Sequence, residues 1–204
     1  MEKIEDYSHN VGTCYRCHND VEPIISAQWF VKMKPLAEAA IKVVEDGETR
    51  FVPDRFAKTY TNWMENVHDW CISRQRRWGL PIPVFYCSDC GKPVCTDETI
   101  KDVSDIFREK GSNAWYEMEA KDILPQGFTC PHCGKSGGFT KEEDTLDGWF
   151  DSGSTHFASM QKDQGFWPAT MYLEGLDQYR GWFQSSLLTA VGAFGQGAPF
   201  QECV

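Results

Sequence analysis

The chain has 204 residues and a formal net charge of −10 at pH 7, with 30 acidic against 20 basic side chains. That length suits one domain or two small ones, and the acidic balance argues against a general nucleic-acid binder while leaving room for a local basic patch. Thirteen Phe, eight Trp and seven Tyr supply apolar surface for a packed core and argue against disorder.

No apolar run approaches the ~18 residues of a membrane span, and the start, Met1 to Asp6, lacks a basic-then-apolar signal segment. A cytoplasmic chain with no membrane contact is expected, in which the nine cysteines serve as metal ligands rather than disulfides.

Residues 1–22 are polar and hold Cys14-Tyr15-Arg16-Cys17-His18. A C-x-x-C knuckle supplies two adjacent corners of tetrahedral zinc, so this is half a site, with His9 and His18 the nearest further donors. The spacing also fits c-type haem attachment, but no targeting segment supports that reading. Pro35 to Glu45 reads as an amphipathic helix with Leu36, Ala39, Ala40 and Val43 on one face and Gly47 past its end. Phe51-Val52-Pro53 is extended. A second helix is expected from Phe56 to Arg74, with Tyr60, Trp63, Met64 and Val67 as a core stripe.

Gly79, Pro81 and Pro83 then force an extended exit. Arg74, Arg76 and Arg77 are the densest basic cluster of the chain; guanidinium groups there suit phosphate, and equally suit local carboxylates. A short strand, Val84 to Tyr86, leads into Cys87-Ser88-Asp89-Cys90-Gly91, matched later by Cys130-Pro131-His132-Cys133-Gly134. In each, the glycine permits the tight knuckle turn. Four thiolates would close a structural zinc sphere with no open position for catalysis. Cys95 lies outside a knuckle. The insert between the pairs should hold a helix over Glu98 to Lys110 and a turn at Leu124-Pro125.

Glu142 to Gly153 carries the acids Asp144, Asp147 and Asp151 beside Trp149, followed by a turn at Ser152-Gly153. Carboxylates so placed could take Mg²⁺, although the spacing matches no dedicated loop. Met171 to Phe183 then reads as a strand end, a Glu174-Gly175 turn and a helix capped by Asp177 and running to Phe194, with Trp182, Leu187 and Val191 at helical spacing. This is either a capped core helix with a buried Trp, or a ligand site at the carboxyl end of a sheet. In the second reading Asp177 and Gln178 suit ribose hydroxyls and Trp182 offers a flat wall.

The stretch E-G-x-D-Q-x-R-G-W-F-x-S-x-L resembles the segment that isoleucyl-tRNA synthetases place under the aminoacyl-adenylate. Q-W-F-V-K-M-K-P-L and N-W-M-E-N-V-x-D-W-C-I-S-R-Q resemble valyl enzymes, whereas W-x-I-S-R-Q-R-x-W-G-x-P-I-P is shared by valyl, isoleucyl and leucyl enzymes. T-D-E-T-I, G-S-N-A-W-Y and D-x-L-D-x-W-F-D-S-G resemble isoleucyl ones. Residues 1–75 are thus valyl-like and 76–204 isoleucyl-like. Gly148, where the family more often has Val, and Glu202-Cys203, where it has His-Gly, depart from the pattern.

The resemblance implies an α/β fold: a partial nucleotide-binding, Rossmann-type catalytic domain with an inserted zinc ribbon. Residues 1–22 would be the zinc-knuckle end of an editing insertion, 23–86 a helical return, 87–140 the ribbon and 141–204 part of the catalytic domain. It further implies that Asp177 and Gln178 hold adenylate hydroxyls, that Glu174 and Gly175 line the adenylate, and that Trp149 and Trp182 shape an aliphatic side-chain pocket. Cys87, Cys90, Cys130 and Cys133 would bind structural zinc, with Cys14 and Cys17 a second half-site. The partners implied are ATP with Mg²⁺, isoleucine or valine, tRNA and the other half of the catalytic domain. Neither His-x-Gly-His nor Lys-Met-Ser-Lys-Ser occurs in the chain, so alone it is expected to be an inactive fragment with an unpaired sheet edge. The rivals are a non-catalytic zinc-stabilised module and a standalone tRNA-binding protein.

Overall fold

The computed structural model describes residues 3–161 and 165–204; Met1 and Glu2, where the reading of the N-terminus begins, lie outside the described residues. The larger core forms around a parallel sheet of three strands in the order Arg50–Phe51, Phe200–Cys203, Ala169–Tyr172. Glu202 pairs with Arg50 on one side and Met171 on the other, and Cys203 with Phe51 and Tyr172. Parallel neighbours require a crossover connection. Between Ala169–Tyr172 and Phe200–Cys203 it consists of a 3₁₀ turn (Leu176–Arg180), an α-helix (Trp182–Leu188) and a π-turn (Thr189–Ala193). The expected single helix to Phe194 is therefore three pieces of different pitch. Phe183, Leu187, Phe200 and Cys203 are fully buried where crossover and central strand meet.

Helix Lys34–Glu45 begins with Pro35 in its first turn, where no intrahelical N–H is lost. It buries Ala37, Ala40 and Val43, a face turned slightly from the expected one, with Leu36 half-buried and Ala39 exposed. Helix Arg55–Glu65 follows, and Tyr60 and Met64 join the same core as the stripe predicted. The expected continuation to Arg74 does not occur. The helix stops at Asn66, and the chain turns extended: Trp70–Cys71 pairs antiparallel with Phe30–Val31, and Ser73–Arg74 with Thr145–Leu146. Tertiary bonds override the local pattern here. Asp69 accepts from the Met33 N–H at 3.0 Å, and Asp147 takes both the Trp70 indole and the Arg74 guanidinium.

The second core belongs to the insert. Phe85–Cys87 lies between Pro93–Val94 and Phe139–Lys141, all antiparallel, over Val103, Trp115, Ile123 and Leu124. Helix Asp97–Lys110 starts one residue before the expected position because Thr96 and Thr99 form a reciprocal capping box, and it ends at Gly111. Ala114–Glu117 and Ala120–Ile123 add two helical turns that the sequence reading did not single out. Among the described residues, no helix is long and apolar enough to cross a membrane.

Candidate functional site

Residues 174–178 leave the carboxyl end of strand Ala169–Tyr172 and form an exposed shelf. The Glu174 N–H reaches the Val204 carbonyl at 3.3 Å, which ties the shelf to the end of the central strand. Asp177 is exposed and caps no helix, contrary to the sequence expectation. It lies inside the 3₁₀ turn, which has no side-chain cap, and the α-helix starts only at Trp182. The cap of that helix is Gln178, whose Oε1 accepts from the Trp182 N–H at 2.9 Å. The Gln178 Nε2 donates to Asp177 Oδ2 at 3.3 Å. The longer amide reaches the free N–H that the shorter carboxylate cannot, and Asp177 keeps acceptor capacity facing solvent.

Trp182 is half-buried and sits with one ring face covered: Tyr172 stacks on it at 4.0 Å and 5°. Its Nε1–H donates to the Ser152 carbonyl at 3.0 Å, fixing the crossover helix to the short helix Gly148–Gly153. Trp149, in the first turn of that helix, is 45 % exposed and lies against Gly181, where an added Cβ would stand 2.9 Å from its ring. The two indoles therefore approach the same turn from different elements. Trp149 also lines a cavity of about 400 Å³ with Trp63, Trp70, Arg180, Gln184 and Leu188, which Trp182 does not line. At its rim the Arg180 guanidinium lies 5.4 Å over the Trp63 ring.

The acids of 144–151 are occupied separately and do not form a cation site. Asp147 is the N-cap of Gly148–Gly153, its Oδ1 accepting from the Trp149 N–H, and its Oδ2 binds Arg74 at 2.6 Å and Trp70 Nε1 at 2.9 Å. Asp144 accepts from Gln75 Nε2 at 2.8 Å. Asp151 has a buried Oδ1 with no hydrogen-bond partner among the described residues, and burial together with the nearby Asp147 charge raises its pKa. Of the basic cluster, Arg74 takes the local-carboxylate role; Arg76 and Arg77 are exposed.

The sulfur atoms of Cys87, Cys90, Cys130 and Cys133 all lie within 4.8 Å of one another. Each pair sits on the same turn: the Gly91 N–H meets the Cys87 carbonyl and the Gly134 N–H the Cys130 carbonyl, both at 2.8 Å, with φ of 68° and 73° at the glycines. Burial acts to raise the Cys130 thiol, but the N–H groups of His132 and Cys133 outweigh it and hold it down at about 7. Cys133 is pushed up to about 12 by burial and by its crowded neighbours, against a bond from the Lys135 N–H. Four thiols this close cannot all ionise without a cation between them. The first knuckle repeats the turn. The His18 N–H meets the Cys14 carbonyl at 2.8 Å with φ of 59°, but among the described residues no further Cys, His, Asp or Glu completes a group with Cys14 and Cys17.

Two buried groups escaped the sequence reading. Glu142 accepts from Trp29 Nε1 and Tyr86 OH and ties the insert to the residues before it. Burial works to raise its pKa, and these bonds outweigh it, leaving the group lowered. His156 is fully buried between Trp167, Phe194 and Thr189. Neither lies in a motif; only the density of aromatic residues around them hinted at buried polar partners.

A parallel sheet, an acid–amide shelf at its carboxyl end, indoles beside it and a four-thiol knuckle pair define a nucleotide-type site braced by a metal-binding insert. The family model for class I tRNA synthetases (I, L, M and V) matches residues 6–204, and the chain belongs to that family. Among curated relatives it is similar to the isoleucine–tRNA ligase of Thermoanaerobacter sp. (strain X514), 49% identical over 196 residues, which cover 96% of this chain and 20% of that protein. It is equally similar to that of Carboxydothermus hydrogenoformans, 49% identical over 197 residues, covering 95% and 21%. The chain spans about a fifth of the length of these relatives, and the likeness runs through both its valyl-like and its isoleucyl-like parts. The LeuRS of Agrobacterium radiobacter K84, solved with tRNA and LeuAMS, matches 67% of this chain at 25% identity with a TM-score of 0.42. Glu202, which departs from the family pattern, has a physical role in this sheet: it pairs with Arg50 of the adjacent strand at 2.6 Å.

Proposed function

We propose that the chain is the central part of an isoleucine–tRNA ligase-like enzyme, in which isoleucine attacks the α-phosphate of ATP to give isoleucyl-AMP and the acyl group then passes to the terminal ribose of tRNA. The observation that carries this reading is the exposed acid–amide shelf 174–178 at the carboxyl end of a parallel strand, the place where such sheets bind nucleotides. Asp177, acceptor-only and open to solvent, receives the ribose hydroxyl protons. Gln178 orients it through the 3.3 Å bond and fixes the start of the crossover helix. Glu174 and Gly175 line the adenylate, and Trp149 and Trp182 bound the aliphatic side chain at low rotamer cost. Catalysis by these residues is positioning; the charge that develops at phosphorus is met by groups of the remaining enzyme and by the Mg²⁺ that accompanies ATP.

Residues 87–140 form a zinc ribbon in this reading, with Cys87, Cys90, Cys130 and Cys133 holding structural zinc that shapes the insert and takes no part in the reaction. Residues 1–22 are the knuckle end of an editing insertion, where Cys14 and Cys17 contribute half of a second zinc site. Residues 23–86 lead back to the catalytic domain, to which 141–204 belong. The protein works in the cytoplasm with ATP, isoleucine, tRNA and the rest of the catalytic domain as partners.

The test is hydrogen exchange with and without a non-hydrolysable isoleucyl-adenylate analogue. Protection concentrated at 174–182 and 148–153 supports the assignment; binding that protects other segments instead overturns it. The polypeptide alone should catalyse no ATP–pyrophosphate exchange, and exchange by it would contradict the proposed division of labour.

A further inference from the structure

We propose that Arg76, Arg77 and Trp78 form a contact for the unpaired end of an RNA, with a base laid on the indole and backbone phosphates on the two guanidinium groups. The proposal rests on the reading of the chain as part of a tRNA-charging enzyme.

The side chain of Trp78 is 94 % exposed, at the tip of the excursion between Arg74 and Leu80. A solvent-exposed indole is ordinary on a floppy loop, but this loop is pinned at both ends to one short strand. On the entering side Ser73 and Arg74 pair with Leu146 and Thr145, and the Thr145 hydroxyl donates to the Arg74 carbonyl at 3.2 Å. On the leaving side the Leu146 N–H reaches the Leu80 carbonyl at 2.7 Å, and Pro81 bridges to Thr145. Gly79 backs so closely onto Thr145 that a Cβ there would lie 2.9 Å from the threonine Cβ. Gln75 is held from two directions, by Gln28 and by Asp144. The fold thus presents an indole to solvent from a fixed base, which lowers the ordering cost of binding.

Charge selects the partner. Within this acidic chain, Arg76 and Arg77 are adjacent cations with no carboxylate within ion-pair distance among the described residues, whereas Arg74 beside them is neutralised by Asp147. Two unspent guanidinium groups next to an open aromatic face are the elements of single-strand recognition: phosphates on the cations, a base on the ring, with little demand on sequence. No wall encloses the tip as a free nucleotide's phosphates would require, so an extended polyanion fits it better than ATP.

The experiment is fluorescence anisotropy of an isoleucine tRNA transcript, intact and with its unpaired 3′ nucleotides removed, titrated with the zinc-loaded chain over a range of salt. Trp78→Ala should weaken binding of the intact RNA roughly 5- to 150-fold, with Trp78→Phe restoring most of it. R76A with R77A should flatten the log–log salt slope by about 1.4, the loss of two single-strand phosphate contacts. Trimming the 3′ end should weaken the wild-type chain and leave the Trp78→Ala chain nearly unchanged. RNA binding insensitive to these variants and to trimming overturns the proposal while leaving the tRNA-enzyme reading in place. No RNA binding, with the isoleucyl-adenylate analogue still bound, overturns the proposal alone; loss of both ligands by the folded, zinc-loaded chain overturns both.

Discussion

At the scale of single residues, the shelf separates structural from ligand-facing work between neighbours. Gln178 caps the crossover helix, so Gln178→Ala should cost about 1 kcal/mol in chemical denaturation, the usual value of a lost cap. Asp177 is exposed, so Asp177→Ala should leave stability within about 0.5 kcal/mol while abolishing adenylate binding. Equal stability losses in the two variants would contradict this division. His156 is a second residue with a readable consequence. Burial holds its pKa down at about 4, against 6.5 for an ordinary imidazole. A folded-state pKa below the unfolded one means that the neutral ring stabilises the fold fully above pH 6.5 and progressively less as the pH falls toward 4. The loss should reach about 3 kcal/mol across that window, from a shift worth about 1.4 kcal/mol per unit. His156→Phe, which keeps a ring between Trp167 and Phe194, should show a flatter stability profile from pH 6.5 to 4; an unchanged slope would place the acid sensitivity elsewhere.

At the scale of elements, the insert has a small core closed around the four thiols, so metal should be part of its folding free energy. Chelation, or Cys90→Ser with Cys133→Ser, should remove the zinc and expose amides of 85–141 to hydrogen exchange before those of the sheet core. Retention of protection there after complete zinc removal would show that the ribbon stands on its aromatic core alone. The knuckles were legible in the sequence because their chemistry is local: spacing and glycine define the turn. So were the helices Lys34–Glu45 and Asp97–Lys110, whose apolar stripes or caps lie within their own residues. The run from Asn66 to Arg74 was not. Its helical pattern yields to partners far away in sequence, Met33 on Asp69 and Asp147 on both Trp70 and Arg74. The cap on Trp182 was misassigned by one residue for a related reason: a 3₁₀ turn intervenes, and at that pitch the longer Gln178 side chain reaches the helix start.

At the scale of the whole molecule, the parallel sheet has three short strands, and among the described residues the outer sides of Arg50–Phe51 and Ala169–Tyr172 pair with nothing. Open edges of this kind recruit other chains. The polypeptide should therefore self-associate with rising concentration in sedimentation, and Met171→Lys, placing a charge on the Ala169–Tyr172 edge where Met171 is 48 % exposed, should reduce that association. A monomer at high concentration without the substitution would mean that the edges are already protected. The same strand carries the shelf at its end, which joins the state of the sheet to the site. The central claim is that this fifth of a synthetase-like chain keeps the adenylate site. Its most direct test is calorimetric titration of the zinc-loaded protein with non-hydrolysable isoleucyl- and valyl-adenylate analogues. The account predicts saturable binding that favours the isoleucyl analogue and disappears in Asp177→Ala; no binding of either analogue by the folded, zinc-loaded chain would contradict it.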